Sequence, residues 1–175
     1  MGIVSHDSET PAHGQQVITA CAFIHHNFDG VEKLFLAKRA ATKKFLPGVF
    51  ELPGGHVDFG EEITRGLKRE VIEEFGMKIK IGDPFYAYTY TNEIKGSHSV
   101  EVIYFARFSD PLEKITINPE DHSEYSWFTF NDVQRRINEI RPDIQVPHEY
   151  DDDPEYLGIL RGFELLNNKK GLNFG

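Results

Sequence analysis

The spacing of hydrophobic residues predicts that most of this chain forms β-strands. Two apolar segments, 17–26 and 32–40, lie on either side of the turn Asn27-Phe28-Asp29-Gly30. Strand-like segments joined by a short loop that contains glycine are typical of a β-hairpin, so we expect these two strands to be adjacent. Further strand-like segments occupy 78–81, 85–94, 99–108 and 123–130, and a short extended piece lies at 50–57.

One central segment has the period of an α-helix instead. Between Glu61 and Phe75, apolar residues recur at every fourth position, which is the spacing of a single helix face. Gly76 follows, where a left-handed C-cap is expected. The residues predicted to face the core are Ile63, Leu67, Val71 and Phe75.

Two more helices are expected near the end of the chain. A short one covers 131–140 with Asn131 as its cap. The last covers about 154–168, because Pro154 suits the first helical position. Its apolar residues predicted to face the core are Leu157, Leu160, Phe163 and Leu166.

These elements predict a mixed α/β or α+β fold in which helices pack on a sheet, since strands outnumber helices. A chain of 175 residues with 39% hydrophobic content can bury one sizeable core. We therefore expect a single domain over 16–175, preceded by a flexible N-terminal tail at 1–15. The helix after Asp153 either completes the core or packs in a homodimer.

The net charge narrows the range of partners. A formal charge of -9 argues against tight binding to a nucleic-acid polymer, which requires clustered basic residues. A phosphate-bearing small molecule stays compatible with this charge, because a metal ion can bridge an acidic site to an acidic ligand. The sequence has no apolar run long enough to span a bilayer, and its polar start lacks a signal-peptide pattern. We expect a cytoplasmic protein with no membrane partner.

Three carboxylates stand out within the central helix. Glu70, Glu73 and Glu74 share one helix face, which lies beside the apolar stripe rather than opposite it. Like charges at this spacing destabilise a helix by a few tenths of a kcal/mol, and partial burial adds a desolvation cost. A divalent cation removes both costs, and Mg²⁺ is usually held by carboxylates together with substrate phosphates. The cluster therefore favours a metal site over a solvated acidic face.

The spacing around this cluster resembles a known motif. Gly55 is followed after five residues by Glu61 and after a further seven by Arg69-Glu70-Val71; Glu73-Glu74 and Gly76-Met77 then follow after single residues. Every defined position matches the Nudix box, so the chain resembles the Nudix hydrolase superfamily. The resemblance implies a mixed β-sheet sandwiched between α-helices, with the box forming a loop, helix and loop.

The family resemblance also implies an activity and a set of site residues. Nudix hydrolases act on acid anhydrides, cleaving a nucleoside diphosphate linked to another group with the help of Mg²⁺, for which Mn²⁺ substitutes. The metal ligands would be Glu70, Glu73, Glu74 and the carbonyl of Gly54. Glu70 and Glu73 would be catalytic in this way, with Arg69 orienting the helix carboxylates and Glu61 serving a structural role.

The general base is expected in a box glutamate or in a later loop. The segment 118–127 offers Glu120, Asp121, His122 and Glu124. Glu120 is the first choice and Glu124 the second, while a histidine is also able to act as a base near neutral pH.

Substrate recognition is expected outside the box. Lys38 and Arg39 lie at the end of the second strand, where they could meet phosphates, and an exposed basic strand end is the simpler alternative. Tyr86, Tyr88 and Tyr90 alternate onto one face of a strand, where they either stack on a base or belong to the core. The run LPGVFELPGGHVDFGE is most similar to family members that act on nucleoside triphosphates, including oxidised ones.

Other functions are compatible with the same fold. A housecleaning nucleoside triphosphate pyrophosphohydrolase is the first hypothesis, with an ADP-ribose or nucleotide-sugar pyrophosphatase as the alternative. A non-catalytic nucleotide sensor is less favoured, because the chain retains every glutamate of the box. An isopentenyl diphosphate isomerase is disfavoured, since Cys21 is the only cysteine and is expected to be a small buried residue away from the site.

Overall fold

The computed structural model describes residues 9–141 and 153–168, which form strands and helices in mixed order along the chain. The strands are β1 Gln16–Phe28, β2 Val31–Arg39, β3 Phe50–Glu51, β4 Gly54–His56, β5 Ile79–Asn92, β6 Ser97–Phe108 and β7 His122–Phe128. The helices are α1 Ile63–Phe75, α2 Phe130–Arg135, α3 Ile137–Ile140 and α4 Pro154–Asn167, and a 3₁₀ turn covers Leu112–Lys114.

The strands form one mixed sheet in the order β3-β2-β1-β6-β5, with β4 beside β1 and β7 beside β2. Strands β1 and β6 run parallel, whereas the other pairs are antiparallel. The predicted hairpin is confirmed, because Phe28 pairs with Val31 across its turn. Segments 78–81 and 85–94 form one strand instead of two, since irregularities in its pairing around Pro84 accommodate a residue without an N–H.

The sheet lies between helices, as the family resemblance implied. Successive residues of a strand point to opposite faces, so in β1 Ala22 packs on the side of α1 and Phe23 on the side of α4. Phe23 meets Phe163 of α4 edge-on, with ring centroids 5.3 Å apart. On the other face, the predicted stripe of α1 is confirmed at its three buried positions, Leu67, Val71 and Phe75.

The packed face of α4 differs in part from the predicted one. Gly158 lies against Ile103 and Gly162 against Phe23, and a Cβ at either glycine would come within 2.5 Å of those side chains. Because glycine permits this close approach, the packed face of the helix includes both glycines. The large buried residues of α4 are Tyr156, Ile159, Phe163 and Leu166, whereas Leu157 and Leu160 are only partly buried.

Helix α2 begins one residue earlier than predicted. The Thr129 hydroxyl accepts a hydrogen bond from the Asp132 amide at 3.1 Å, and the Asp132 carboxylate accepts one from the Thr129 amide at 2.9 Å. This reciprocal capping box makes Thr129 the N-cap. The predicted cap, Asn131, is therefore wrong; it lies inside the first turn and is exposed.

Part of the predicted N-terminal tail contacts the sheet. The amides of Ala12 and Gly14 donate to the carbonyls of Lys95 and Gly96 in the β5–β6 turn, at 2.9 and 3.0 Å. Residues 1–8 of that predicted tail lie outside the described residues. Across 9–141 and 153–168, no helix is long and apolar enough to cross a membrane.

The reassigned cap gives a test of the fold. Thr129→Ala removes the hydroxyl acceptor, so we expect the free energy of unfolding to fall by about 1 kcal/mol. Asn131→Ala, the matched control two residues away, should change it by no more than about 0.5 kcal/mol. Urea unfolding followed by circular dichroism measures both. A larger loss in Asn131→Ala than in Thr129→Ala would contradict the assignment.

Candidate active site

Helix α1 holds the three carboxylates of the box beside the sheet. The Glu62 side chain caps its first turn, and Gly76 ends it in the left-handed conformation at φ 64°. Glu74 is buried, with 8% of the residue exposed. The Glu70 side chain is 16% exposed and that of Glu73 is 55% exposed. The acidic face therefore runs from solvent into the protein interior.

Arg69 connects this face to the loop that precedes the helix. Its guanidinium donates to Glu70 at 2.7 Å and to Glu73 at 3.2 Å. It also donates twice to Glu61, at 3.1 Å each, and to the carbonyl of His56 at 2.9 Å. A planar guanidinium with several fixed donors can hold such a set, whereas a lysine cannot. Arg69 thus fixes the directions of three box carboxylates and the path of the loop.

Gly54 and Gly55 bring the backbone of β4 into contact with the same carboxylates. The Gly54 amide donates to Glu74 at 3.1 Å. Gly54 has φ 145°, and a Cβ there would overlap the carbonyl oxygen of Ala20. A Cβ on Gly55 would lie 2.6 Å from a carboxylate oxygen of Glu70. Glycine at both positions is therefore what allows strand β1, strand β4 and helix α1 to meet here.

The electrostatics of this cluster suit a cation. Burial raises the pKa of Glu70 to about 7 although Arg69 opposes the shift. Burial, together with the charges of Glu51 and Glu70, raises the pKa of Glu74 well above its usual value. A divalent cation with hard oxygen ligands would compensate both charges, so the donor set fits such an ion. In the part of the chain described, no group of three or more His, Cys, Asp or Glu side chains is already arranged to hold a metal ion.

The carboxylates border a cavity of about 430 Å³. It runs from the box helix across the sheet face that lies beyond the N-terminus of α4. The structure thereby brings several of the predicted site residues together around one cavity. These are Gly54, Glu70, Glu73, Glu74, Arg39, Tyr88 and Tyr90.

Other predicted site residues are placed elsewhere. Lys38 pairs with Glu124 at 3.2 Å in an exposed ion pair. Glu120 is exposed in a turn, where its amide donates to the Asn118 side chain at 3.1 Å. Lys38, Glu120, Glu124 and Tyr86 are not among the residues that line the cavity.

Arg39 supports the cavity wall through its own contacts. Its Nε donates to the Phe45 carbonyl at 2.8 Å, and Nη1 donates to Glu51 at 3.0 Å. The side chain is 10% exposed. Arg39 consequently ties the loop after β2, which carries Phe45, to strand β3.

Asp121, in the turn before β7, and His122, the first residue of β7, both line the cavity. Asp121 pairs with Lys43 at 2.7 Å. His122 lies 3.0 Å from Glu51 through Nε2 and stacks on Phe75 with centroids 5.2 Å apart. Both side chains are held in place beside the buried carboxylates.

Buried charges at the N-terminus of α4 were not foreseen from the sequence. Arg141 lies 3.0 Å from Asp153 and 2.8 Å from Glu155, and its side chain is 1% exposed. Glu155 also accepts a hydrogen bond from the Leu52 amide at 2.7 Å. No local pattern identifies Arg141 and Glu155 as neighbours, because fourteen positions of chain separate them.

Glu101 was also missed, although its strand carried a signal. On β6 it has the same parity as Ile103 and Phe105, which face the core. Charged residues are rarely buried unless they are paired, so a glutamate at an inward position of an apolar strand indicates a binding or catalytic site.

The expectation that Cys21 lies away from the site is wrong. Cys21 lines the cavity near Glu101, because its side chain points inward from β1 on the same face as Phe23.

Glu155 gives a test of the buried charges. Burial raises the pKa of Glu155 from 4.5 to about 7, and Arg141 opposes the shift. Between these two pH values the folded state binds more protons at Glu155 than the unfolded state, so this group makes stability fall as pH rises.

We expect the free energy of unfolding of Glu155→Gln, relative to the wild type, to increase from pH 5 to pH 8 by on the order of 3 kcal/mol. Urea unfolding at several pH values measures it. Glu164→Gln, an exposed position on the same helix, controls for the replacement of a glutamate by glutamine. A constant difference for Glu155→Gln would refute the raised pKa.

Comparison with known proteins matches this chain to one family. The NUDIX domain model matches residues 17–147. The chain is 28% identical over 117 residues to the Nudix hydrolase YfcD of Escherichia coli (strain K12), covering 66% of this chain and 62% of that protein. It is 45% identical over 47 residues to an 8-oxo-dGTP diphosphatase of Buchnera aphidicola subsp. Schizaphis graminum, covering 27% of this chain and 35% of that enzyme.

A solved structure agrees with this match. The MutT NUDIX hydrolase of Burkholderia pseudomallei superposes with a TM-score of 0.57 and 28% identity, covering 67% of this chain and 86% of that chain. The mixed sheet between helices, the box on α1 and the match over most of the sequence agree with one another. The chain therefore belongs to the Nudix hydrolase family.

Proposed function

We propose that this protein is a Mg²⁺-dependent pyrophosphohydrolase that cleaves a P–O–P linkage in a nucleoside triphosphate, as housecleaning enzymes do. The observation that carries the proposal is the shared cavity: Glu70, Glu73 and Glu74 line the same 430 Å³ space as Tyr88 and Tyr90. A diphosphate and the nucleoside attached to it can therefore occupy one continuous site.

The ligands we propose for Mg²⁺, or Mn²⁺ in its place, are Glu70, Glu73, Glu74 and the Gly54 carbonyl. When bound, the ion would neutralise the charge of the diphosphate and acidify water. Arg69 acts through other groups as a positioning residue, because its hydrogen bonds set the directions of Glu70 and Glu73.

We expect the proton acceptor for the attacking water at the start of β7 or in the turn just before it. Asp121 and His122 line the cavity, whereas Glu120 and Glu124 do not. This placement supports Asp121 or His122 ahead of Glu120 and Glu124, the two residues that the sequence favoured. An imidazole and a carboxylate are both among the side chains that serve as general bases.

Two observations support a nucleoside triphosphate as the substrate. The box and the residues just before it are similar to family members that act on such compounds. The Buchnera relative, 45% identical over 47 residues, is an 8-oxo-dGTP diphosphatase. Tyr88 and Tyr90 would contact the base. Arg39 would act indirectly on the part of the site that binds the phosphates, because it fixes the loop after β2.

The same proposal includes the setting of the enzyme. We propose a cytoplasmic protein that acts on a small-molecule nucleotide derivative and binds no nucleic-acid polymer. Association as a homodimer is part of the proposal, and sedimentation velocity measures it. The matched region spans 62% of the length of YfcD, so activity, substrate and partners are all proposals for this chain.

Removal of the metal ligands tests the activity. We expect phosphate or pyrophosphate release from nucleoside triphosphates with Mg²⁺, and none after chelation with EDTA. Glu74→Gln and Glu70→Gln should each lower kcat by about 100-fold or more, the scale for losing one group that stabilises transition-state charge. Glu113→Gln, an exposed glutamate outside the cavity, is the control. Full activity in Glu74→Gln would refute the metal-site assignment.

A panel of compounds separates the alternatives. It contains canonical and oxidised nucleoside triphosphates, ADP-ribose, NADH, dinucleoside polyphosphates and nucleotide sugars, each with Mg²⁺ or Mn²⁺. Preferential cleavage of ADP-ribose or nucleotide sugars would replace the triphosphate proposal. Binding without cleavage of any compound would identify a sensor instead of an enzyme.

The choice of base is tested in the loop before β7. We expect His122→Gln or Asp121→Asn to lower kcat by roughly 10²–10⁴-fold with little change in KM, as for loss of a general base. Glu120→Gln, in the turn before β7, and Glu124→Gln, within β7, serve as comparisons and should keep kcat within about threefold, because their side chains lie outside the cavity. A large loss in either comparison variant would restore the order favoured by the sequence.

A further inference from the structure

The far end of the cavity contains a carboxyl group that the hydrolysis chemistry does not use. Glu101 is 6% exposed. The Tyr88 hydroxyl donates to one of its oxygens, and the Thr19 hydroxyl donates to the other at 3.1 Å. Two arginines line the same cavity, and each pairs with a different carboxylate. Arg39 lies 3.0 Å from Glu51, and Arg141 lies 3.0 Å from Asp153 and 2.8 Å from Glu155.

The hydrogen-bonding capacity of Glu101 is not filled by these donors. An ionised carboxylate offers about four lone-pair sites, and each oxygen here accepts one hydroxyl. The thiol of Cys21 also approaches Glu101, but a thiol is a weak donor. Each oxygen can therefore accept one more N–H, and a buried charge gains free energy from such donors.

The negative charge around Glu101 favours ligand groups that donate hydrogen bonds over groups that accept them. Burial and the charge of Glu51 both disfavour the ionised form of Glu101 and raise its pKa, and N–H donors from a ligand would stabilise that ionised form. Glu155, at the N-terminus of α4, lines the same space. A ligand edge made of N–H groups is attracted by these carboxylates, whereas an edge of carbonyl or ring-nitrogen acceptors is repelled.

Aromatic side chains provide flat surfaces beside Glu101. The rings of Phe45 and Tyr90 are within 19° of parallel, with centroids 6.1 Å apart, and both line the cavity. Tyr88, which donates to Glu101, has its ring centroid 6.1 Å from that of Tyr90. A planar heterocycle can lie against these rings with its edge toward the carboxylate.

The position of Glu101 relative to the metal-binding face suits a nucleotide. In the sheet, Thr19 pairs with Glu101 on one side and with His56 of β4 on the other. Glu101 and β4 are thus separated by two strand spacings, about 10 Å. In a nucleotide, a ribose lies between the base and the diphosphate. This spacing would accommodate the ribose if the base lies at Glu101 and the diphosphate lies beside Gly54 and Gly55.

We propose that Glu101 determines base specificity by accepting two hydrogen bonds, one from the ring N–H and one from the amino group of guanine. The inference rests on the proposed pyrophosphohydrolase function and adds the identity of its base. Among the common bases, guanine alone presents an adjacent ring N–H and amino group as a pair of donors.

Inosine nucleotides provide the sharpest comparison, because hypoxanthine lacks the amino group and is otherwise the same ring system. We expect wild-type kcat/KM to be at least about tenfold higher for GTP than for ITP or ATP, the scale of one bidentate contact to a base. Equilibrium binding of GMP, IMP and AMP, measured by calorimetry without metal, should show the same order and does not depend on catalysis.

Glu101→Gln tests the residue itself. Glutamine keeps the size but replaces one acceptor with an amide donor, so the GTP to ITP ratio should fall toward one through a loss on GTP. Glu113→Gln, an exposed glutamate outside the cavity, should keep the wild-type ratio. A circular dichroism melting curve checks that each variant folds.

The outcomes separate this inference from the proposed function. Hydrolysis with no preference for guanine, or an unchanged ratio in Glu101→Gln, would overturn the role of Glu101 and leave the enzyme assignment intact. Preferential binding of GMP without any hydrolysis would support the role of Glu101 and refute the enzyme. If Glu101→Gln fails to fold, the wild-type ratios of GTP to ITP and of GMP to IMP decide the matter.

Discussion

The contact between Gly54–Gly55 and strand β1 is the constraint on which the rest of the site depends. Strand β1 pairs with β2 near the end of β1 and with β4 near the start of β1. The segment that carries β4 must therefore join the sheet beside Thr19 and Cys21. A side chain at Gly54 would overlap the backbone of β1, and one at Gly55 would displace Glu70. Because both are glycine, helix α1 starts from a fixed point, and its acidic face meets the end of the sheet.

Arg69 resolves the conflict that this placement creates. Helix α1 must bury its apolar stripe, and doing so carries Glu70 and Glu74 out of water. The guanidinium of Arg69 compensates part of the charge through Glu70, Glu73 and Glu61. Burial still raises the pKa of Glu70 to about 7. The remaining imbalance is the charge that the proposed divalent cation would compensate.

The other end of the cavity arises from how α4 covers the sheet. Gly158 and Gly162 let the helix approach Ile103 and Phe23 closely. Because the helix begins only at Pro154, it leaves the part of that sheet face around Thr19 and Glu101 open to the cavity. Strand positions under the helix are apolar, while Thr19 and Glu101, one step further along β1 and β6, are polar. The same sheet face thus changes from core to cavity wall beyond the N-terminus of the helix.

The sequence by itself determined the fold class, the central helix with its C-terminal cap, the family and the acidic face, because these depend on local periodicity and on spacing within one short segment. It also contained the inward parity of Glu101 on β6. The tertiary structure alone decided that Asp121 and His122 line the cavity while Glu120 and Glu124 do not, that Arg141 meets Glu155, and that Cys21 lies near Glu101. These facts depend on the register between strands that are distant in sequence and on how closely α4 approaches the sheet. Both are set by tertiary packing, so no local sequence pattern contains them.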